Sequence, residues 1–262
     1  MELIDTHCHL DFPVFDADRE ALLTRWRQLG VGEYIIPAVG EENWGRVMAL
    51  AGRHDDIRYG LGIHPWYVGK QPRDVLTRLE TLLASRPRGL VAVGECGLDL
   101  RSHVPQEGQV EMFEAQVRLA MAHELPLIVH SVRANDTVAK ILRRFTPPQG
   151  GVIHAFSGSL HQAEVFWQLG FRLGIGGVIS YERANKTREA IRQMPLEALL
   201  LETDAPDMPL QGQQGEVNTP ASLPTIARLL AQLRQQPLED VISVLHDSTR
   251  RLFPPGNHEI NI

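Results

Sequence analysis

The chain has 262 residues, of which 43% are hydrophobic and 22% charged, a composition typical of a globular protein with a large core. Its net charge of −6 argues against a protein that coats nucleic acid nonspecifically, although bound divalent cations would offset negative charge at a local site. Cys8 and Cys96 are too few for a disulfide framework and are expected to be small buried residues. With neither a signal-peptide pattern nor an apolar run of about 18 residues, the sequence predicts a cytoplasmic protein without a membrane segment.

Short apolar runs typical of strands alternate with longer amphipathic runs typical of helices. Strands are predicted at 3–6, 34–36, 58–62, 90–93, 127–129, 151–153, 171–175 and 199–201. Helices are predicted at 19–29, 44–51, 75–84, 106–123, 137–144, 161–169, 188–194, 223–235 and 239–245. Connections of crossover length indicate parallel pairing, and eight such strands close into a (β/α)8 TIM barrel without leaving an edge. We therefore predict an α/β protein in which residues 1–262 form a single domain.

Two histidines separated by one residue, His7 and His9, follow the first predicted strand. Side chains of extended backbone alternate with a period of two, so both imidazoles project on one face and form half of a metal site. Further candidate ligands occur where later strands are predicted to end. These are Glu95, His130, His154 and Asp204. Because the reactive groups of a (β/α)8 barrel come from the carboxyl ends of its strands, we expect the six side chains to meet at one mouth.

The six donors are imidazole nitrogens and carboxylate oxygens, which suit Zn, Mn, Fe or Ni and commit less to Mg. They outnumber the three protein ligands of a mononuclear catalytic zinc, so two ions bridged by a carboxylate account for them better. Glu95 and Asp204 both carry oxygens that can bridge. Taken singly, each residue has a structural alternative, as a hydrogen-bonded core histidine or a turn or helix-cap carboxylate. That alternative does not explain six such residues at successive strand ends.

Six motifs in fixed order resemble signatures of the TatD family of metal-dependent hydrolases. They are Asp-Thr-His-Cys-His-Leu-Asp (5–11), Gly-Ile-His-Pro (62–65), Gly-Glu-Cys-Gly-Leu-Asp (94–99), Pro-Leu-Ile-Val-His-Ser (126–131), Ile-His-Ala-Phe-Ser-Gly-Ser (153–159) and Leu-Leu-Glu-Thr-Asp-Ala-Pro (200–206). The run 199–210 is most similar to the YjjV branch of that family. The resemblance extends from about Ile4 to Phe253 and implies an amidohydrolase-like TIM barrel, divalent metals and nuclease activity on DNA. It also implies that the family's metal positions are His7, His9, Glu95, His130, His154 and Asp204.

Two segments at the mouth of the predicted barrel depart from the family's pattern. After the histidine and serine of the fifth strand, where relatives often carry an acidic or neutral residue, this chain has Val132-Arg133-Ala134. After Glu216 it reads Val-Asn-Thr-Pro, where relatives commonly show Arg-Asn-Glu-Pro. The candidate metal ligands are unaffected, so the departures bear on substrate preference.

The function predicted from the sequence is hydrolysis of phosphodiester bonds in DNA or short oligonucleotides by water activated at two divalent metal ions, Zn, Mn or Mg. Asp204 and Glu95 are the predicted catalytic carboxylates, and Asp204 also orients the water and takes its proton. His64, at the end of the third predicted strand, is expected to contact substrate phosphate and to assist catalysis. Arg133 is expected to bind phosphate. The alternatives for these two are a hydrogen-bonded loop histidine and a solvated surface arginine.

Two other functions are compatible with the sequence. The first keeps the barrel and the metals but cleaves a small-molecule ester, lactone or amide, or an aminoacyl-tRNA ester. The second is a metal-binding scaffold without turnover, which would have no need for an open metal pair. No basic stripe with interleaved aromatics runs along the sequence. We therefore expect weak affinity for nucleic acid and recognition of only a few nucleotides. No obligate protein partner is inferred, and the expected state is a monomer.

Overall fold

Eight parallel strands form one sheet in which each strand pairs with the next along the chain. The computed structural model describes residues 2–254. The strands are β1 Leu3–Asp5, β2 Val31–Pro37, β3 Ile57–Leu61, β4 Leu90–Asp99, β5 Leu127–Val132, β6 Gly151–Ile153, β7 Phe171–Ile175 and β8 Leu199–Leu201. The sheet closes on itself because Thr6 donates its backbone N–H to the Leu201 carbonyl (3.0 Å) and Cys8 pairs with Ala205 just beyond β8. The predicted (β/α)8 barrel is confirmed.

All nine predicted helices are present, with ends that differ by at most three residues except at the end of the last helix. They are α1 Arg19–Gln28, α2 Glu41–Ala51, α3 Val75–Ser85, α4 Gln106–Ala122, α5 Asn135–Phe145, α6 Leu160–Gln168, α7 Asn185–Gln193, α8 Leu223–Arg234 and α9 Leu238–Leu252. The helix α5 shows why they pack outside the sheet: its buried residues Val138, Ile141 and Leu142 recur at helical spacing. The last helix runs seven residues beyond its predicted end at 245, since Leu252 is still buried.

Both faces of the sheet are buried, as expected for parallel strands surrounded by helices. Inside the barrel, residues from five strands pack together, and Phe253 belongs to the same cluster. The strand residues are Ile35, Val91, Ala92, Ile128, Val152 and Leu200. Residues of opposite orientation, such as Tyr34 and Ile36, pack in the larger cluster that includes the helices. The core therefore fills the barrel and leaves its carboxyl end for polar groups.

The strands β4 and β5 are longer than the sequence predicts, and this corrects the placement of two candidate ligands. Pairing passes from Val93–Leu127 to Cys96–Val129, so three residues of β4 span the distance of two on β5. This irregularity lets β4 continue beyond Val93, and Glu95 consequently lies inside the strand. His130 likewise lies inside β5 and not after it.

Among residues 2–254, no helix is both long enough and apolar enough to cross a membrane. Met1 and residues 255–262 lie outside the described range, so a single domain over 1–262 stays a prediction. Both cysteines are buried, as expected.

Candidate metal centre

The structure brings all six predicted metal ligands together at the carboxyl end of the barrel, around the Glu95 side chain. One oxygen of Glu95, Oε2, faces the first pair of histidines: it lies 3.3 Å from His7 Nε2 and 3.6 Å from His9 Nε2. Asp204 Oδ1 lies 3.4 and 3.8 Å from the same two nitrogens. We call His7, His9 and Asp204, with this oxygen, the first donor group.

The other oxygen of Glu95, Oε1, faces a second set of imidazoles. It lies 2.8 Å from His130 Nδ1 and 2.9 Å from His154 Nε2, and these two nitrogens are themselves 2.9 Å apart. We call His130 and His154, with Glu95 Oε1, the second donor group. Glu95 is thus the shared member of two groups, the arrangement in which one carboxylate can bridge two cations.

The hydrogen bonding of the buried imidazoles fits metal ligands better than core histidines. His7 is fully buried, and neither of its ring nitrogens has a hydrogen-bond partner in the described structure. His9 Nδ1 and His154 Nδ1 are unpartnered as well. Buried polar atoms are normally hydrogen-bonded, so a converging set of them beside two carboxylates calls for another partner. Nitrogen and carboxylate donors of this kind suit a divalent cation.

A buried hydrogen-bond network between the ends of β1 and β8 positions the first donor group. Asp5 accepts hydrogen bonds from the backbone N–H of Thr203 (3.0 Å), from the Thr203 hydroxyl (2.6 Å) and from the N–H of His7 (3.3 Å). Asp204 in turn donates its own N–H to the His7 carbonyl, at 2.9 Å. Asp204 has a φ of 58°, in the left-handed region that aspartate and asparagine tolerate better than most residues. These contacts hold His7 and Asp204 side by side.

His64 lies beside the second donor group and is held in one orientation. Its Nδ1 accepts a hydrogen bond from the backbone N–H of Trp66 (3.1 Å), so in the neutral ring the proton is on Nε2. Nε2 lies 3.4 Å from Glu95 Oε1. Burial lowers the pKa of His64 to about 3, which keeps the imidazole neutral. His64 therefore presents an N–H donor towards the centre.

Asp99 is a residue of this centre that the sequence interpretation missed. Its Oδ2 lies 3.1 Å from His130 Nε2 and accepts a hydrogen bond from the Trp66 indole N–H (2.7 Å). The other oxygen accepts from the N–H of Arg101. Asp99 lies four residues after Glu95 in β4, and this even spacing within one strand is the signal that could have identified it.

Glu202 is a second missed residue, buried behind His154. Its Oε1 accepts a hydrogen bond from the Ala155 N–H (2.5 Å) and lies 3.9 Å from His154 Nδ1. Burial raises the pKa of Glu202 to about 8. The residue directly follows β8 and faces Nδ1 of His154, the ring nitrogen opposite the one that faces Glu95, so it supports the centre from behind.

A cleft with two lobes opens above the donor groups. The smaller lobe, about 500 Å³, is lined by Phe12, Trp66, Tyr67 and Met208 together with His64, and we call it the aromatic lobe. The larger, about 810 Å³, is the cationic lobe. Its charged wall residues away from the centre are Arg101, Arg133, Arg183, Lys186 and Asp136. Three donor-group residues, His130, His154 and Asp204, line both lobes.

The cationic lobe explains how a basic surface exists in an acidic chain without a basic stripe. Arg101 follows β4, and Arg133 follows β5. Arg183 lies just before α7, and Lys186 lies in the first turn of that helix. The barrel brings the loops that follow successive strands to one mouth, so cations far apart in sequence line one wall. Arg133, the predicted phosphate contact, is exposed on this wall.

Comparison with known proteins agrees with the geometry. Residues 4–254 match the family model described as TatD related DNase. The chain is 47% identical over 251 residues to YjjV of Escherichia coli K12, an uncharacterized metal-dependent hydrolase, and the match covers 95% of this chain and 97% of that protein. The crystal structure of that TatD homologue superposes with a TM-score of 0.93, covering 96% of this chain and 97% of the other.

More distant relatives include a 3'-5' ssDNA/RNA exonuclease, TatD of Pantoea ananatis, which is 30% identical over 96% of this chain and 99% of that protein. The fold also matches an amidohydrolase from Saccharomyces cerevisiae, with a TM-score of 0.83 at 18% identity, over 97% of this chain and 100% of the other. This chain belongs to the TatD family of metal-dependent hydrolases.

Proposed function

We propose that this protein is a phosphodiesterase that hydrolyses single-stranded DNA or short oligonucleotides from an end, using two divalent ions held by the two donor groups. The single observation that carries the proposal is the position of Glu95, whose two oxygens face different sets of imidazoles. A carboxylate shared in this way is typical of two-metal centres, which act on phosphoryl groups by stabilising both the attacking and the leaving oxygen.

The cationic lobe supports a phosphodiester substrate. Four exposed cations against one carboxylate, Asp136, line the wall that lies away from the donor groups. Lysine and arginine contacts to phosphates supply most of the affinity of a protein for a nucleic-acid backbone. The exonuclease activity named for the relative from Pantoea ananatis is compatible with the same substrate class.

Divalent ions bound at such a centre polarise a phosphoryl oxygen and lower the pKa of water to about 7. The chain's own residues would then do the following. Asp204 belongs to the first donor group and lines the cleft, so its carboxylate is placed to take the proton of the attacking water. The bond between phosphorus and the leaving oxygen breaks as the bond between phosphorus and the water oxygen forms. Asp204 then passes its proton to the leaving oxygen, which departs as the alcohol product. No residue forms a covalent intermediate.

His64 and Arg133 would bind the substrate phosphate. The neutral His64 offers Nε2–H as a hydrogen-bond donor, which stabilises charge on a phosphoryl oxygen without competing for a proton. Arg133, on the cationic wall, offers the planar fork of donors that matches phosphate oxygens.

Metal depletion tests the proposal. Protein stripped with chelator should not cleave a 5'-labelled single strand, and adding back Mn, Zn or Mg should restore cleavage, with at least one of these ions active. Shortening one nucleotide at a time on a sequencing gel indicates attack from an end, whereas immediate internal fragments would contradict that part of the proposal. Cleavage that persists at full rate in the stripped protein would contradict the role of the metals.

A further inference from the structure

The aromatic lobe contains the one aromatic side chain among the exposed large apolar residues of the described structure. Six such residues are exposed, and two of them, Trp66 (55% exposed) and Met208 (38%), line this same lobe. Large apolar side chains left open to solvent beside a functional site commonly mark a binding surface. The lobe opens directly on Glu95 and Asp204, so whatever it binds is held against the donor groups.

Trp66 is fixed in position although most of its surface is free. Its indole N–H donates to Asp99 Oδ2 at 2.7 Å, and its ring meets the His64 ring edge-on, with centroids 5.6 Å apart. Such anchoring lowers the entropy that the side chain loses when a ligand stacks on it. A fixed, exposed indole is therefore a preorganised stacking surface.

The two lobes together match the alternating chemistry of a nucleic-acid strand. The aromatic lobe offers aromatic surface and the cationic lobe offers four cations. Both lobes share Arg101, Met208 and the donor residues His130, His154 and Asp204. A strand likewise alternates flat bases with anionic phosphates, and proteins bind it by stacking the former on aromatics and pairing the latter with cations.

We infer that the aromatic lobe is a nucleobase pocket, in which Trp66 stacks the unpaired terminal base next to the phosphate that is cleaved, while the cationic lobe holds the rest of the strand. The inference rests on the proposed function and adds the orientation of the substrate and the residue that recognises its end. Because stacking reads the face of a base and not its edge, the pocket accepts all four bases. A base that enters it must leave its pairing partner, which restricts the substrate to single strands and frayed ends.

The experiment compares two single-stranded tetranucleotides that differ only at the terminal nucleotide, which carries adenine in one and is abasic in the other. The readout is the ratio of their kcat/KM values, measured for wild type, Trp66→Ala, Trp66→Phe and the exposed control Leu29→Ala. Both Trp66 variants also lose the indole hydrogen bond to Asp99. This loss should slow the cleavage of both substrates equally, so its effect cancels in the ratio. Wild type should prefer the base-bearing strand by about tenfold to a hundredfold. Trp66→Ala should reduce that ratio towards one, while Trp66→Phe and Leu29→Ala keep most of it.

Equilibrium binding of the two strands as hydrolysis-resistant phosphorothioates, followed by fluorescence anisotropy, gives a second readout that does not depend on turnover. Trp66→Ala should likewise reduce the ratio of the two binding affinities towards one. If wild type cleaves neither strand, the proposed function is wrong. The ratio of the two binding affinities then still tests whether the aromatic lobe binds a base. A ratio near one in wild type, or one that Trp66→Ala leaves unchanged, overturns the inference even if phosphodiester cleavage is observed.

Discussion

Asp99 Oδ2 lies 3.1 Å from Nε2 of His130, the ring nitrogen opposite the one that faces Glu95. This contact places the His130 proton on Nε2 and leaves the Nδ1 lone pair directed at the second donor group. Burial alone would raise the pKa of Asp99, but hydrogen bonds from His130, the Arg101 N–H and the Trp66 indole lower it to about 2, so the group is a carboxylate at neutral pH.

Asp99→Asn should therefore weaken metal binding without unfolding the protein. Partners that orient a ligating histidine typically contribute about 10- to 100-fold to metal affinity. Competition with a fluorescent chelator measures the two dissociation constants, and only one of them, that of the second donor group, should increase. Asp240→Asn, an exposed substitution on α9, is the control. Equal affinities in Asp99→Asn and wild type would show that Asp99 does not orient His130.

Glu95→Gln should lower the metal content from about two ions per chain towards one or none, because the amide removes the negative charge shared by both groups. The fold should persist, since the barrel core is built from the apolar strand residues. Plasma emission on dialysed protein gives the content, and circular dichroism checks the fold. Glu107→Gln, an exposed change in the first turn of α4, should keep full content. Two ions retained in Glu95→Gln would rule out the shared role.

Asp204→Asn should reduce turnover by about a thousandfold or more while changing the melting temperature little. Asparagine is the informative replacement because it removes the charge and adopts the left-handed φ of 58° at this position more readily than alanine does. The comparison is with Asp207→Asn, an exposed carboxylate on the same cleft. Wild-type turnover in Asp204→Asn at saturating metal would exclude Asp204 as the group that handles the proton.

Gly97→Ala should destabilise the fold by about 2 kcal/mol or more. The residue has a φ of 140°, and a Cβ there would overlap the carbonyl oxygen of His130 on the neighbouring strand. Gly108→Ala provides the matched control, because it lies in α4 with nothing within 4 Å of the added carbon and should be neutral or stabilising by up to about 1 kcal/mol. Urea denaturation measures both. A Gly97→Ala variant as stable as wild type would contradict the tight approach of β4 to β5.

The sequence predicted the fold well where the apolar pattern is simple. The bounds of β6, β7 and β8 agree with the prediction because each is a short apolar run that begins or ends at a turn. The sequence also predicts that six candidate metal ligands meet at one mouth, because a barrel gathers the carboxyl ends of its strands. The structure brings these six side chains together, and their role as metal ligands stays a prediction: His7, His9, Glu95, His130, His154 and Asp204. The irregular pairing after Val93 was not visible, since it depends on how β4 fits its neighbour.

The residues missed share a cause. Asp99 and Glu202 contact histidines from other parts of the barrel, and the sequence does not show those contacts. For Asp99 the even spacing from Glu95 indicates the shared face but not the contact to His130. Of the cationic lobe, the sequence indicated only Arg133. Arg101 and Arg183 were missed because they come from other connections between strands and helices. The sequence does not predict that Trp66 is exposed, because tryptophan is usually largely buried. The other three tryptophans of the chain are buried or partly buried in the structure.

The most direct test of the proposed chemistry offers metal-loaded protein three substrates side by side, each with Mg, Mn or Zn: a short single-stranded oligonucleotide, a covalently closed duplex and an aryl carboxylic ester. A two-metal phosphodiesterase with a pocket for one unpaired end should cleave the single strand, leave the closed duplex almost intact, and lose the activity in Asp204→Asn. If only the ester is hydrolysed, the phosphodiesterase proposal is wrong, and the same donor groups belong to a hydrolase of small-molecule esters, lactones or amides, or of aminoacyl-tRNA.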